Sequence, residues 1–234
     1  MFISEIKNIL DPKTISNLFN IIREANFVDG RISGGLERAK YNLELYPESE
    51  KYLDVLQVIE MAVRESYEFN LTAFPRYMTR PIISRYDIGM FYKGHVDKPV
   101  MHFMDSKLGL MPLGSNYVRT DLSMTLFLND PASYDGGELS FEAPFSNIKV
   151  KLDAGSAVVY PTGSRHQVLP VTRGSRYAAI FWIQSLFPNE AHRQAVSNAH
   201  QLTRLIKDLA LDDSKVYELA EENFYNLARM LAEV

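Results

Sequence analysis

The chain contains no cysteine, which excludes both a disulfide framework and any thiolate metal site. Long apolar runs are also missing. The longest, Tyr177 to Ile183, falls far short of the roughly 20 residues a membrane-spanning helix needs. Neither charge sign dominates: 25 basic residues against 29 acidic ones leave a net charge of -4 and a pI near 5.8. Such a balance offers no overall footprint for a polyanion, so no nucleic-acid partner is expected. There is no internal repeat and no low-complexity run. The opening M-F-I-S-E-I-K lacks the basic start and continuous apolar core of a signal peptide. Together these absences give the expectation of a soluble, cytoplasmic protein with no membrane partner. What is present is ordinary for a globular chain, with 46% hydrophobic and 23% charged residues. At 234 residues it can bury one sizeable core and reads as one domain.

Asp11-Pro12 reads as an N-cap followed by proline at the first helical position, and Ile15, Leu18, Phe19 and Ile22 recur at helical spacing behind it. Phe27 to Gly35 is rich in turn formers, and Tyr41 to Tyr46 alternates as a short strand. Pro47 opens a second helix whose stripe is Leu53, Leu56, Ile59 and Val63. From Arg80 the period shortens. Strands are expected at Arg80–Tyr86, Asp121–Leu128 and Glu138–Glu142. Val150 and Leu152 form a pair with Ala157–Tyr160 around Asp153-Ala154-Gly155, and His166–Val171 forms a last hairpin with Arg176–Ile183. Seven or eight strands between residues 80 and 184 suit a double-sheet jelly roll. Residues 98–118 are long and irregular, and read as a lid or substrate-contacting loop. After Pro188 helical spacing returns, first with Ala195, Ala199, Leu202 and Leu209, then from Asp213-Ser214 with Val216, Leu219, Phe224, Leu227 and Leu231. The expected class is α+β: a double-stranded β-helix (jelly roll) over 80–184, supporting helices and strand over 1–79, and a helical pair over 185–234. That pair packs on the barrel or on a second copy, which leaves a homodimer open.

The stretch that organises the rest is Tyr86 to Asp97, Y-D-I-G-M-F-Y-K-G-H-V-D. It ends in a histidine and a carboxylate two residues apart, the spacing at which both side chains of an extended segment point the same way. Of the five histidines, His192 and His200 fall on the predicted C-terminal helix and His102 in the 98–118 segment. Only His166 sits among strands, after the turn Pro161-Thr162-Gly163-Ser164. Two imidazoles and one carboxylate on a β scaffold form the facial triad of non-haem Fe(II) oxygenases. A plain structural histidine at a strand end is the competing reading of His166. Against it stands Arg176, which enters an otherwise apolar segment, while no acidic residue lies between Asp153 and Glu190. A buried guanidinium requires an anion from elsewhere in the fold or from a ligand, and its planar fork suits a carboxylate. With an odd-length loop centred on Gly174, His166 lies opposite Trp182 and shares a face with Arg176, Ala178 and Ile180; an even-length loop separates them.

The sequence resembles the Fe(II)/2-oxoglutarate-dependent dioxygenases, and within them the bacterial PKHD-type (prolyl/lysyl hydroxylase-like) hydroxylases. The likeness is carried by R-Y-D-I-G-M at 85–90, H-V-D at 95–97, R-T-D-L-S-M-T-L-F-L at 119–128, Y-D-G-G-E-L at 134–139, Y-P-T-G-S-R-H-Q-V at 160–168, and P-V-T-R-G-S-R at 170–176 with F-W-I-Q-S at 181–185. V-D-G-R at 28–31 extends it into the N-terminal half. The resemblance implies that His95, Asp97 and His166 bind iron, that Arg176 holds the 5-carboxylate of 2-oxoglutarate, that Tyr86 hydrogen-bonds this co-substrate, and that Tyr92 and Trp182 line the site. Phe127 stands where some relatives carry a tyrosine, which leaves a second carboxylate donor open among Ser123, Thr125 and Tyr86. Asp135-Gly136-Gly137 is expected as a tight turn near the site. The implied activity consumes O2 and hydroxylates a C–H bond of a peptide side chain or a small molecule. It releases succinate and CO2, and ascorbate is a candidate accessory. The alternatives are a non-catalytic, cupin-like binding module, a nucleic-acid demethylase, for which position 182 would be arginine and not Trp182, and a zinc hydrolase, which gives Arg176 no task.

Overall fold

In a computed structural model, which describes residues 3–33, 39–46, 50–102, 117–211 and 214–233, the chain starts with an edge strand and a capped helix. These are β1 (Ser4–Ile6) and α1 (Pro12–Arg23). The Asp11 carboxylate accepts from the Lys13 and Thr14 N–H groups at 2.8 and 3.0 Å, satisfying donors the first turn leaves free. β2 (Phe27–Asp29), β3 (Lys40–Tyr41), β4 (Leu43–Leu45), α2 (Glu50–Glu65) and α3 (Tyr67–Ala73) follow. Next come β5 (Pro75–Met78), β6 (Ile82–Tyr86), β7 (Phe91–His95), β8 (Val100–His102), β9 (Tyr117–Arg119) and β10 (Leu122–Phe127). Short strands then alternate between sheets: β11 (Asp135–Gly136), β12 (Leu139–Phe141), β13 (Ile148–Val150), β14 (Ala157–Pro161), β15 (His166–Val168) and β16 (Val171–Arg173). The long β17 (Arg176–Ser185) leads to α4 (Glu190–Asp208) and α5 (Lys215–Leu231), capped by Asn189 and Ser214.

Two antiparallel sheets face each other. The larger runs β1-β14-β10-β17-β6-β4-β2 with β5 added on β17, and the smaller runs β13-β12-β15-β7-β3. Four consecutive strands of the larger sheet, β14, β10, β17 and β6, together with β13, β12, β15 and β7 opposite, make the eight of a jelly roll. Period-2 alternation divides the larger sheet's residues between two cores. Met124, Leu126, Val159, Ala179, Phe181 and Ile183 turn outward, where Leu18 and Ile22 of α1 and Val55, Leu56, Ile59 and Val63 of α2 cover them. Phe127, Val158, Tyr160 and Tyr86 turn inward against Leu139, Phe141 and Val168 of the smaller sheet. Ile59 is fully buried, so its truncation to alanine costs about 2–5 kcal/mol. No described helix is long and apolar enough to cross a membrane.

The pairing differs from the sequence expectation in four places. β15 pairs with β7 and β12, and β17 with β6 and β10, so the expected last hairpin is a crossover between sheets. β13 and β14 likewise belong to opposite sheets. Tyr41–Tyr46 is two strands, β3 in the smaller sheet and β4 in the larger, parted at buried Asn42. Phe27–Asp29, expected as turn, pairs with β4. Of the expected helix stripes, Leu53 is 54% exposed, and α4 buries Val196, Ala199, Thr203 and Ile206 while Leu202 faces out. The ends of the 98–118 segment form a ribbon, β8 with β9; the lid expected there falls on 103–116, outside the described residues.

Candidate metal centre

His95 ends β7 and His166 begins β15, and the two are register partners on adjacent strands. Two residues on, Val168 pairs with Tyr92, three residues back from His95. The extra residue in β7 is a β-bulge, which re-aims a side chain. It brings Tyr92 and His95 onto one side with their rings stacked at 3.7 Å. Asp97, just past the strand, completes the group: one ligand atom from each of His95, Asp97 and His166 lies within 4.8 Å of the others. His95 Nε2 is 3.5 Å from Asp97 Oδ1 and His166 Nε2 is 3.9 Å from Oδ2.

Both rings are oriented from behind. His95 Nδ1 meets the Lys93 carbonyl at 2.8 Å and His166 Nδ1 the Ser164 carbonyl at 2.9 Å. A carbonyl can only accept, so each Nδ1 carries the proton and each Nε2 presents a lone pair to the centre. Burial lowers the His166 pKa below 6.5, with His95 adding to the effect and Asp97 opposing it, so this ring is neutral at pH 7. Burial raises the proton affinity of Asp97, but His95, His166, Ser123 and Trp182 outweigh it and hold the carboxyl below 3.8. Two imidazoles that turn Nε2 inward and one carboxylate are a donor set for a divalent first-row metal.

Arg176 opens β17 directly opposite Tyr86 on β6. It is 1% exposed, and its guanidinium lies 5.3 Å from the ring centres of both Tyr86 and Phe127. No carboxylate among the described residues pairs with it, and its Nε has no hydrogen-bond partner. Tyr134 stands beside it with its own hydroxyl unpartnered. Gly137, at φ +68°, makes room for both: a Cβ there would come within 3.1 Å of Arg176 Cδ and 3.2 Å of Tyr134 Cε2. At Gly136, φ +69°, a Cβ would come within 2.1 Å of the Pro170 carbonyl oxygen. Asp135-Gly136-Gly137 is thus the near wall of the Arg176 site.

Tyr160 joins the two halves. Its hydroxyl is 3.4 Å from His166 Nε2, and its phenol is affected by both Asp97 and Arg176. Burial raises the phenols of Tyr86 and Tyr160 far above their ordinary range, so both remain neutral hydroxyls. The expected residues therefore converge on one interior, with Trp182 on Asp97 and Tyr92 on His95. Arg176 and His166 share it as residues of opposite sheets that border one interior, not along one hairpin. Two site residues escaped sequence reasoning. Tyr160 lay unremarked within Y-P-T-G-S-R-H, at an inward position of its strand. Tyr134 sits two residues before the glycine pair, whereas Ser123 is committed to Asp97 and Thr125 to Tyr160.

Residues 81–184 match the 2OG-Fe(II) oxygenase superfamily. The chain is 35% identical over 232 residues to a PKHD-type hydroxylase of Methylobacterium nodulans, and 38% identical over 232 residues to one of Xanthomonas campestris pv. campestris (strain B100), covering 98% of each chain in both cases. Its fold is similar to that of a prolyl hydroxylase from Trichoplax adhaerens, solved in complex with a hypoxia inducible factor oxygen degradation domain peptide fragment. The TM-score is 0.56 at 15% identity, covering 77% of this chain and 82% of that one. These matches support an iron- and 2-oxoglutarate-dependent hydroxylating dioxygenase over a non-catalytic binding module. With near-complete coverage at this identity, the chain belongs to the PKHD-type hydroxylases of the 2OG-Fe(II) oxygenase superfamily.

Proposed function

We propose that His95, Asp97 and His166 hold Fe(II), that Arg176 and Tyr134 bind the distal carboxylate of 2-oxoglutarate, and that the substrate is a peptide side chain of the prolyl or lysyl type. The observation that carries this reading is the buried, unpaired Arg176 in the same interior as three convergent ligand atoms. A guanidinium Nε and a phenol hydroxyl, both buried without partners, are the donors a carboxylate would satisfy. Charge gives an independent argument. A divalent ion, the Asp97 carboxylate and the Arg176 guanidinium leave two positive charges in a buried space, and a keto-diacid dianion cancels both.

Once bound, Fe(II) and 2-oxoglutarate supply the oxidising chemistry, in which O2 is consumed, succinate and CO2 are released and one oxygen atom enters a substrate C–H bond. The chain's own residues do the rest. Arg176 and Tyr134 fix one end of the co-substrate, and Tyr86, opposite Arg176, hydrogen-bonds along its length. Phe127, Val158 and Phe141 keep the interior dry, which strengthens each of these contacts. Ascorbate is proposed as an accessory reductant and the cytoplasm as the location; neither nucleic acid nor membrane is proposed as a partner. The family match at 81–184 supports a core over 80–184 braced by 1–79 and 185–234. A homodimer is proposed through the C-terminal helices. Leu202, Leu205, Leu209, Leu211, Val216 and Leu219 stand 48–70% exposed there, a denser set than isolated surface leucines.

The test is aerobic turnover of 2-oxoglutarate to succinate, which should require added Fe(II) and disappear in His166→Ala. Turnover without added metal, or surviving in that variant, would sink the reading. Mass spectrometry for a gain of one oxygen, on prolyl and lysyl peptides against small metabolites, decides the substrate class.

A further inference from the structure

The geometry points to Trp182 and Ser123 as positioning residues that confine Asp97 to ligation through one oxygen. This rests on the proposed triad. Asp97 Oδ2 accepts two hydrogen bonds, from Ser123 Oγ at 2.8 Å and from Trp182 Nε1 at 3.0 Å. The donors are register partners on β10 and β17 of the larger sheet, whereas both histidines belong to the smaller one. Asp97 therefore spans the sandwich: Oδ2, which also lies 3.9 Å from His166 Nε2, is tied to the larger sheet, and Oδ1 stands 3.5 Å from His95 Nε2 of the smaller one.

The donors leave Oδ2 little choice. An indole N–H can only donate, and a carboxylate oxygen offers two lone-pair positions, both now filled. Oδ1 alone remains free to ligate. A second hydroxyl sets the direction of the first. Thr162 Oγ1 lies 3.2 Å from Ser123 Oγ, and because Ser123 has one proton and gives it to the charged carboxylate, Thr162 must donate to Ser123. Ser123 is fully buried and Thr162 is 2% exposed, so water does not replace either contact. Thr162 also belongs to the turn whose Ser164 carbonyl orients His166. A single hydrogen-bonded relay thus couples the carboxylate ligand to the backbone that aims the second histidine.

The function of this arrangement is to limit the protein to three ligand atoms. If Asp97 could also offer Oδ2, it would chelate and occupy a position that a keto acid or O2 needs. Partners behind a ligand typically account for 10–100-fold in metal affinity.

The experiment titrates Co(II), a spectroscopic stand-in for Fe(II), into metal-free wild type, Trp182→Phe, Ser123→Ala, Thr162→Val, Thr162→Ser and His166→Ala. It reads calorimetric affinity and the visible d–d absorption. Trp182→Phe keeps a ring and loses only the N–H, and Thr162→Ser keeps the hydroxyl. Expected are 10–100-fold weaker binding and an altered d–d band in Trp182→Phe and Ser123→Ala, a smaller change of the same kind in Thr162→Val, and recovery in Thr162→Ser. Binding within twofold of wild type with an unchanged band in Trp182→Phe and Ser123→Ala overturns the inference, including when either variant merely melts at lower temperature. Wild type that binds Co(II) no better than His166→Ala refutes the triad itself, which is a separate failure.

Discussion

Replacing Arg176 by methionine separates what the residue does for activity from what it does to stability. In the metal-free protein the guanidinium is 1% exposed, with an unpartnered Nε and no carboxylate among the described residues to pair with. Its compensation is two ring faces at 5.3 Å, together worth about 1–2 kcal/mol at a partly desolvated site. Desolvating an ion costs several kcal/mol, and replacing buried charges by apolar side chains of similar volume is neutral or stabilising by about 1–4 kcal/mol. Methionine is long and adaptable enough to fill the space between Tyr86, Phe127 and Gly137. Metal-free Arg176→Met should therefore resist urea as well as wild type or better. The same substitution removes a charged hydrogen-bond partner of the co-substrate, worth about 2–5 kcal/mol, which is about 30- to 5,000-fold in KM for 2-oxoglutarate. Equilibrium urea unfolding and succinate production at varied 2-oxoglutarate measure the two sides. A metal-free variant clearly less stable than wild type would refute the reasoning, because Arg176 would then have an anionic partner within the chain.

The pH dependence follows from His166 and Asp97. The folded pKa of His166 lies below its ordinary 6.5 because of burial, so on acidification the unfolded chain takes up the proton first; stability is complete above 6.5 and falls as pH drops toward the folded value. Asp97, held below 3.8 despite its burial, adds stability above 3.8 that is lost only as pH falls through its lower folded pKa. Metal-free wild type should lose stability between pH 7 and 5 more steeply than His166→Gln, as urea midpoints at each pH would show; parallel profiles would count against it. For the C-terminal pair, Leu205→Asp with Leu209→Asp should turn a dimer into a monomer by light scattering without changing succinate production. A wild type that is already monomeric at high concentration removes the dimer.

What could be read from the sequence was whatever depends on short spans. Asp11-Pro12 and Ser214 mark helix starts because a cap acts on the next three residues. His95, Asp97, His166 and Arg176 stood out because a few polar residues among apolar strands require partners. Sheet membership was not legible, since nothing between Val168 and Arg176 states whether the chain turns back along its own strand or crosses the sandwich. The bulge at Lys93-Gly94 was hidden for the same reason: it exists only relative to β15. Leu53 and Leu202 were assigned to buried stripes by spacing alone, whereas the positions these helices bury include Val55 and Val196. Tyr134 lacked any local signal, because its role depends on a guanidinium 42 residues further on.

The expected hairpin brought Arg176 and His166 to one face only with an odd-length loop, yet both border one interior without any hairpin between them, and the reason is physical. Arg176, Ala178, Ile180 and Trp182 lie on one face of β17 whichever strand it pairs with, because alternation is a property of the strand alone. In a two-sheet sandwich the inward faces of both sheets border the same space, so the site needs only the right parity from each strand, not one particular pairing. Depth is a different constraint. β11 pairs with β16 so closely that Gly136 nearly touches the Pro170 carbonyl and Gly137 the Arg176 stem. Parity chooses which side chains enter the cavity, and the glycine pair lets the wall approach until Tyr134 stands beside Arg176. A jelly roll with correct alternation but a larger residue at position 137 would keep its metal ligands, while a strained backbone and a Cβ pressed against the Arg176 stem and the Tyr134 ring would displace the two donors of the anion site.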